Sequence, residues 1–397
     1  MSVGPSVLLT VHGIGFQQPP ENGRAGYADE LHRRLKSELA DLLGDDPERG
    51  EGPVYVSSEV GSGLGLARLE PGRPLAPTGR IAHVALVYSP SEPLTPALGP
   101  VAAALERAVS RHRRYTNMRE TLRLVFDDAW ATARETRQAA HPSTLSPRSD
   151  SPVAHVHRDL IGRMLHEGKH HDSAPPEPSA QPHESYVSGI LRALEADVAT
   201  YVVLNDMRER VRGFVQEAMQ AILDRPDTAG LVVNAHSQGT VVCWDALRGL
   251  PFFSWRDNGD RRASKLRHLV TAGSPIRKYV DLWGWGGLVG QLAAVLEDRG
   301  QGPRWSNFWD PRDPIADPLN PASGWRPGEP LHTRGEDDLG LLVGRRPGGG
   351  RAWHVEVDDR KVDNLRGSAG GGLKAHDYWD NQPEFVVPLA ELLRPGR

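Results

Sequence analysis

The feature that most constrains this chain is a set of short apolar runs, each ending in glycine or small polar residues and each followed by helical periodicity. Val7-Leu8-Leu9-Thr10-Val11 runs into His12-Gly13-Ile14-Gly15, and Leu231-Val232-Val233 runs into Asn234-Ala235-His236-Ser237-Gln238-Gly239. Runs that are apolar on both faces belong to strands covered on both faces, and strands alternating with helices build a parallel sheet. Tyr27, Leu31, Leu35, Leu39 and Leu42 predict a helix over about 25–43, and residues 54–60 and 81–88 predict two more strands. Met207, Val211, Phe214, Val215, Ala218, Met219 and Ile222 form one apolar helix face before the strand at 231–233. A helix at 239–249, strands at 266–272, 305–309 and 353–357, and a closing helix at 384–393 follow. The expected fold class is α/β, a mostly parallel central sheet with helices on both faces and no internal repeat.

Between these halves the pattern changes. Residues 96–204 read as a helical insertion or cap with proline-, serine- and histidine-rich stretches at 141–153 and 168–183, which are too polar to pack a core. The expected organisation is 1–95 and 205–397 as the two halves of one core, with 96–204 inserted. Length agrees, since 397 residues suit one large α/β domain carrying an insertion.

Composition excludes several classes. With 47 basic and 51 acidic residues the net charge is −4, so neither nucleic acid nor another polyanion is expected as a partner. The single Cys243 rules out an internal disulfide and any cysteine-based metal site, as in a reducing compartment. The start Met1-Ser2-Val3-Gly4-Pro5-Ser6 lacks the basic and apolar regions of a secretion signal. No run reaches the roughly 18 apolar residues of a membrane span, so a soluble, cytoplasmic protein is expected.

Ser237 is the candidate nucleophile. A serine hydroxyl is a weak nucleophile, so an enzyme that uses one exposes it on a sharp strand–turn–helix and sets a base beside it. The positions two before and two after must be small where backbones approach, and here they are Ala235 and Gly239. Acyl transfer also needs two N–H donors for the developing oxyanion, one after the nucleophile and one from an early loop. Gln238 and Ile14 are placed for these roles. The base is expected in Ala375-His376-Asp377-Tyr378-Trp379, after the last strand and a glycine-rich loop, making His376 the first choice over His354 and His332. The acid should lie between serine and histidine at a strand end. Trp305-Ser306-Asn307-Phe308-Trp309-Asp310-Pro311-Arg312-Asp313 offers Asp313 first and Asp310 as the alternative. The plain readings are a serine in a tight turn, aspartates that form turns before proline, and a surface-loop histidine.

These segments resemble the α/β-hydrolase superfamily in its lipase and esterase branch. The order Ser237, Asp313, His376 is similar to the family's order, and Val11-His12-Gly13-Ile14-Gly15 resembles the oxyanion loop of small bacterial lipases. Ala196-Asp197-Val198-Ala199-Thr200-Tyr201 and 307–315 are similar, more loosely, to intracellular phospholipase-like members. The resemblance covers 1–95 and 205–397. It implies a serine esterase with a catalytic triad and an oxyanion hole, acting through an acyl-enzyme without metal or organic cofactor. A small-molecule or lipid-like carboxylic ester is the substrate class it implies. An acyltransferase, amidase or peptidase of the same fold, or a catalytically silent scaffold binding a partner through its insertion, are the alternatives.

Other constellations carry less. His155, His157, His166, His170 and His171 include an i, i+4 pair suited to zinc, but no spacing fixes a third ligand. The aromatic and glycine-rich run Tyr279-Val280-Asp281-Leu282-Trp283-Gly284-Trp285-Gly286-Gly287-Leu288-Val289 suits an acyl-chain wall, an interfacial lid that contacts a membrane surface, or ordinary packing. Arg111-His112-Arg113-Arg114 reads as a solvated helix face, Cys243 as buried and inert, and Asp257, Asp260, Asp337-Asp338 and Asp358-Asp359 as solvated turn acids.

Overall fold

A computed structural model describes residues 5–13, 19–20, 25–58, 63–76, 80–88, 205–251, 254–255, 258–276, 296, 304–313, 315–316, 318–319, 343–344, 353–354, 357–366 and 375–394. Ile14, His332, the insertion with its histidines and basic run, the tryptophan-rich loop, Asp257 and Asp337-Asp338 lie outside these residues. The chain divides into two compact units, Met1–Ser89 with Arg212–Arg397, and Pro90–Val211. The elements described below belong to the first, apart from the opening residues 205–211 of one helix.

Its centre is an eight-stranded sheet in which every pairing is parallel. The strands are β1 (Ser6–Val11), β2 (Leu43–Gly44), β3 (Val54–Ser57), β4 (Ile81–Val87), β5 (Gly230–His236), β6 (Leu266–Ala272), β7 (Trp305–Trp309) and β10 (Val357–Lys361). Their order is β10-β7-β6-β5-β1-β4-β2, and β3 also pairs with β4. β2 and β3 share one edge of β4, since Leu43 faces Ile81 while Val54 faces Val84. β1 and β4 are buried along their whole length, which is why both read as unbroken apolar runs.

Helices cover the sheet. α1 (Asp29–Leu39) buries Leu31, Leu35 and Leu39, and opens with Asp29 and Glu30 at its positive end. α2 (Asn205–Asp224) buries Val215, Ala218, Met219, Ile222 and Leu223 and stops before Pro226. α3 (Gln238–Gly249) leaves β5, and the short α4 (Arg262–Lys265) leads into β6. A π-helical turn, Gln382–Val386, continues into α5 (Val387–Leu393). Phe385, Leu389 and Leu393 from this end pack with Leu31, Leu35 and Leu39 of α1 and Leu8 of β1. Each such leucine contributes about 1.5–3 kcal/mol by leaving water. Among the described residues no helix is long and apolar enough to cross a membrane.

Two expectations need correction. The strand expected at 353–357 is two pieces: β9 (Trp353–His354) pairs antiparallel with β8 (Val343–Gly344) in a separate ribbon, and β10 joins the main sheet four residues later. β10 is an edge strand with one neighbour, so it needs little apolar surface, and only Val357 of its five residues is buried. Asp358 and Asp359, expected in a solvated turn, belong to this strand. Asp359 accepts hydrogen bonds from Asn307 Nδ2 at 2.7 Å and the Leu319 N–H at 3.0 Å, and Asp358 pairs with Arg360 at 2.6 Å.

Candidate active site

The sheet register brings the candidate residues to one edge. Val11 lies opposite Ala235, His236 opposite Ala272, Ala272 opposite Phe308, and Lys361 opposite Trp309. The strands therefore release His12-Gly13, Ser237, Gly273 and the Asp310–Asp313 turn at one level, all at carboxyl ends. Successive connections leave β1 toward β4 and return to β5 on its other side, so the order reverses between β1 and β5. In open parallel sheets the crevice at such a reversal is where ligands bind.

Ser237 stands between β5 and α3 with φ 54° and ψ −131°. A residue with a Cβ holds such a conformation at a cost of roughly 1–3 kcal/mol, which surrounding contacts must offset. Those contacts are visible: the Ser237 N–H donates to the Ala272 carbonyl at 2.9 Å, and Thr240 Oγ1 donates to the Ser237 carbonyl at 2.7 Å. Gly13 lies directly over the serine, since a Cβ there would meet Ser237 Cβ at 2.6 Å and Oγ at 3.1 Å. A Cβ on Gly239 would lie 2.1 Å from the His12 carbonyl oxygen and 2.8 Å from that of Val11. The small residue after the serine thus serves the crossing of α3 over the end of β1, not an approach to its own strand.

His376 and Asp313 form a pair. His376 Nδ1 donates to Asp313 Oδ2 at 2.7 Å; Asp313 Oδ2 also accepts from the Tyr378 hydroxyl at 2.9 Å, and Oδ1 accepts from the Ile315 N–H at 2.9 Å. Burial alone would raise the Asp313 pKa, but the His376 charge and these donors together hold it below the ordinary carboxylate range. Asp310 does not reach His376. It accepts from Arg312 N, Nε and Nη2 and from the Asn364 N–H, and so ties the turn after β7 to the segment after β10.

His376 is brought beside Ser237 by shared neighbours. Gly273, next to the Ala272 that holds Ser237, has φ 62°, and a Cβ there would sit 2.5 Å from His376 Cε1. The adjacent His236 ring lies 4.6 Å from the His376 ring and donates from Nε2 to the His376 carbonyl at 2.9 Å. His376 Nε2, the nitrogen facing away from Asp313, is buried and has no hydrogen-bond partner, and among the described residues no hydrogen bond joins it to Ser237 Oγ. In unliganded sites such bonds are often long and tighten when substrate binds.

The early loop is fixed from beneath. The Tyr88 hydroxyl donates to the carbonyls of His12 at 2.6 Å and Gly13 at 3.2 Å, and its ring stacks on His12 at 4.2 Å. Gln238 is buried at the first position of α3, where helical N–H groups have no intrahelical acceptor. Its expected partner donor, Ile14, lies outside the described residues. His354, the rival base, falls in β9, outside the main sheet.

Residues that sequence reasoning left without a role also meet here: Tyr378, His236, Tyr88 and Gly273. Proximity in the chain was the available signal for two of them, His236 beside Ser237 and Tyr378 two residues past His376.

Buried neutral histidines give the fold a pH signature. Burial drives His12 down to about 4, His236 to about 3, and His268, which bonds Ser306 Oγ at 2.9 Å, to about 4. In the unfolded chain each titrates near about 6.5, so below that pH the unfolded state takes up protons that the fold refuses. Stability present above pH 6.5 is lost as pH falls toward 4, and the loss from Asp313 comes at lower pH still. Melting temperature should decline steadily from pH 6.5 to 5; a flat profile there would contradict this burial.

Comparison adds no relative: the chain matches no family model, and no curated protein or solved structure matches it significantly.

Proposed function

We propose that this protein is a serine hydrolase of the α/β-hydrolase type, cleaving a carboxylic ester through an acyl-enzyme on Ser237. The observation that carries the reading is the convergence, at the carboxyl ends of the strands around the reversal point, of a serine in a strained turn and a histidine paired with a buried aspartate. Ala40 and Arg366 also take positive φ, so the strain at Ser237 bears on function through its place, at a strand end beside the His376–Asp313 pair, where strain of this kind clusters at functional sites.

The chemistry follows from the donors and acceptors. With Nδ1 donating to Asp313, the neutral His376 ring has its lone pair on Nε2. That nitrogen takes the Ser237 proton as Oγ attacks the ester carbonyl, then returns it to the leaving alkoxide. Asp313 keeps the tautomer and balances the imidazolium charge. The N–H groups of Gln238 and Ile14 receive the oxyanion, the second by resemblance to lipase loops. Water, deprotonated by the same Nε2, then attacks the acyl carbon and releases the acid and the free serine.

An ester substrate, lipid-like acyl groups included, is favoured by the resemblance to the lipase and esterase branch. A reducing, cytoplasmic setting fits the buried free thiol of Cys243. The test is turnover of p-nitrophenyl esters of graded acyl length, with product analysis against added alcohols and amines. Ester hydrolysis that rises with acyl length supports the reading. Transfer to the alcohol in preference to water assigns an acyltransferase instead, and inertness toward every ester favours a silent scaffold.

A further inference from the structure

We infer that Tyr378 is a positioning residue for the His376–Asp313 pair, its hydroxyl sharing Asp313 Oδ2 with His376 Nδ1 and thereby setting how strongly Asp313 holds a proton on that histidine. The inference rests on the hydrolase reading of Ser237 and goes beyond it, since the reaction as drawn needs only serine, histidine, acid and oxyanion donors.

The geometry singles out the hydroxyl. It donates to Asp313 Oδ2 at 2.9 Å and accepts from the Asp310 N–H at 2.9 Å, so its one proton is committed to the carboxylate. Burial, with the Asp313 charge beside it, raises the phenol pKa well above its ordinary value, so the group remains a donor at every working pH. Histidine and tyrosine reach the same oxygen from positions two apart in one loop. Each donor draws on the charge of Oδ2, so a stronger bond from one weakens the pull on the other.

The hydroxyl is not needed to hold the loop. Asn364 Nδ2 donates to the Ala375 carbonyl at 2.5 Å, His236 to the His376 carbonyl at 2.9 Å, and the Asn381 N–H to the Tyr378 carbonyl at 3.0 Å. The ring keeps its place through an edge contact with Phe385 at 6.3 Å. Tyr378→Phe therefore removes the donor and leaves the packing, with a loss of melting temperature from the unpaired Asp310 N–H.

The experiment follows the rate of fluorophosphonate labelling against pH in the full chain. The acid limb of that profile reports protonation of His376. In Tyr378→Phe the undivided Oδ2 charge should move the limb up by about half a pH unit or more. Replacing Tyr378 alone by 3-fluorotyrosine, a more acidic and stronger donor of nearly the same shape, should move it down. This second variant keeps the test open should the phenylalanine protein fail to fold. A limb that coincides with that of the unmodified protein in both variants overturns the inference, whatever happens to melting temperature. Absence of labelling in the unmodified protein overturns the hydrolase reading and this inference with it.

Discussion

Asp313→Asn is expected to reduce kcat/KM on any ester the protein turns over by about 10³–10⁴-fold while the chain stays folded. The size comes from the tautomer. Asp313 accepts from three donors, His376 Nδ1 and Tyr378 on Oδ2 and Ile315 N–H on Oδ1. An amide cannot satisfy all three. With its oxygen toward His376, its NH₂ meets the Ile315 N–H, donor against donor. In the opposite orientation the NH₂ faces Nδ1, which must then give up its proton to Nε2, and an Nε2–H cannot take a proton from Ser237. Asp310→Asn is the control. It should cost stability through the Arg312 and Asn364 bonds but leave the remaining activity within about tenfold of the parent. Equal losses of rate in the two variants would contradict the division of roles between these aspartates.

Gly239→Ala should have the largest effect on stability. The added Cβ would lie 2.1 Å from the His12 carbonyl oxygen, 2.8 Å from its carbon and 2.8 Å from the Val11 carbonyl oxygen. All three are backbone atoms at the end of β1, the strand paired on both sides at the centre of the sheet, and none can swing away as a side-chain tip could. Either α3 lifts from β1 or β1 shifts against β5, and both change the position of Ser237. Overpacking of this kind commonly costs about 1–3 kcal/mol, and a backbone contact this short belongs at or beyond the upper end. Chemical denaturation is the measurement. A midpoint close to that of the parent would show that the elbow has more room than the structure gives it.

Much of the fold could be read from the chain because the central strands are buried on both faces. β1, β4 and β5 announce themselves as largely apolar runs, β6 and β7 as shorter aliphatic and aromatic stretches with polar residues among them, and the ends of β5 and β7 deliver Ser237 and Asp313 in the expected order. β10 was hidden for the converse reason. Val-Asp-Asp-Arg-Lys carries one apolar residue because an edge strand has half its surface outside, and its acids are satisfied by side chains from distant segments. The choice between Asp310 and Asp313 was equally illegible. Both follow one strand in one proline-bounded turn three residues apart, and only the path of the chain 63 residues later decides which carboxylate meets His376. Tyr378 and His236 escaped notice on the same ground, their decisive bonds spanning 65 and 140 residues. Pattern reports burial and spacing; it does not report which of two equivalent groups a distant loop will touch.

The central claim is that Ser237 is a nucleophile activated by His376, and the most direct measurement is mass spectrometry of the chain after reaction with a fluorophosphonate. A single covalent adduct is expected on the peptide carrying Ser237, absent in Ser237→Ala and formed at least about 10³-fold more slowly in His376→Gln. A folded protein that takes up no label, or one labelled as fast without Ser237, would contradict it.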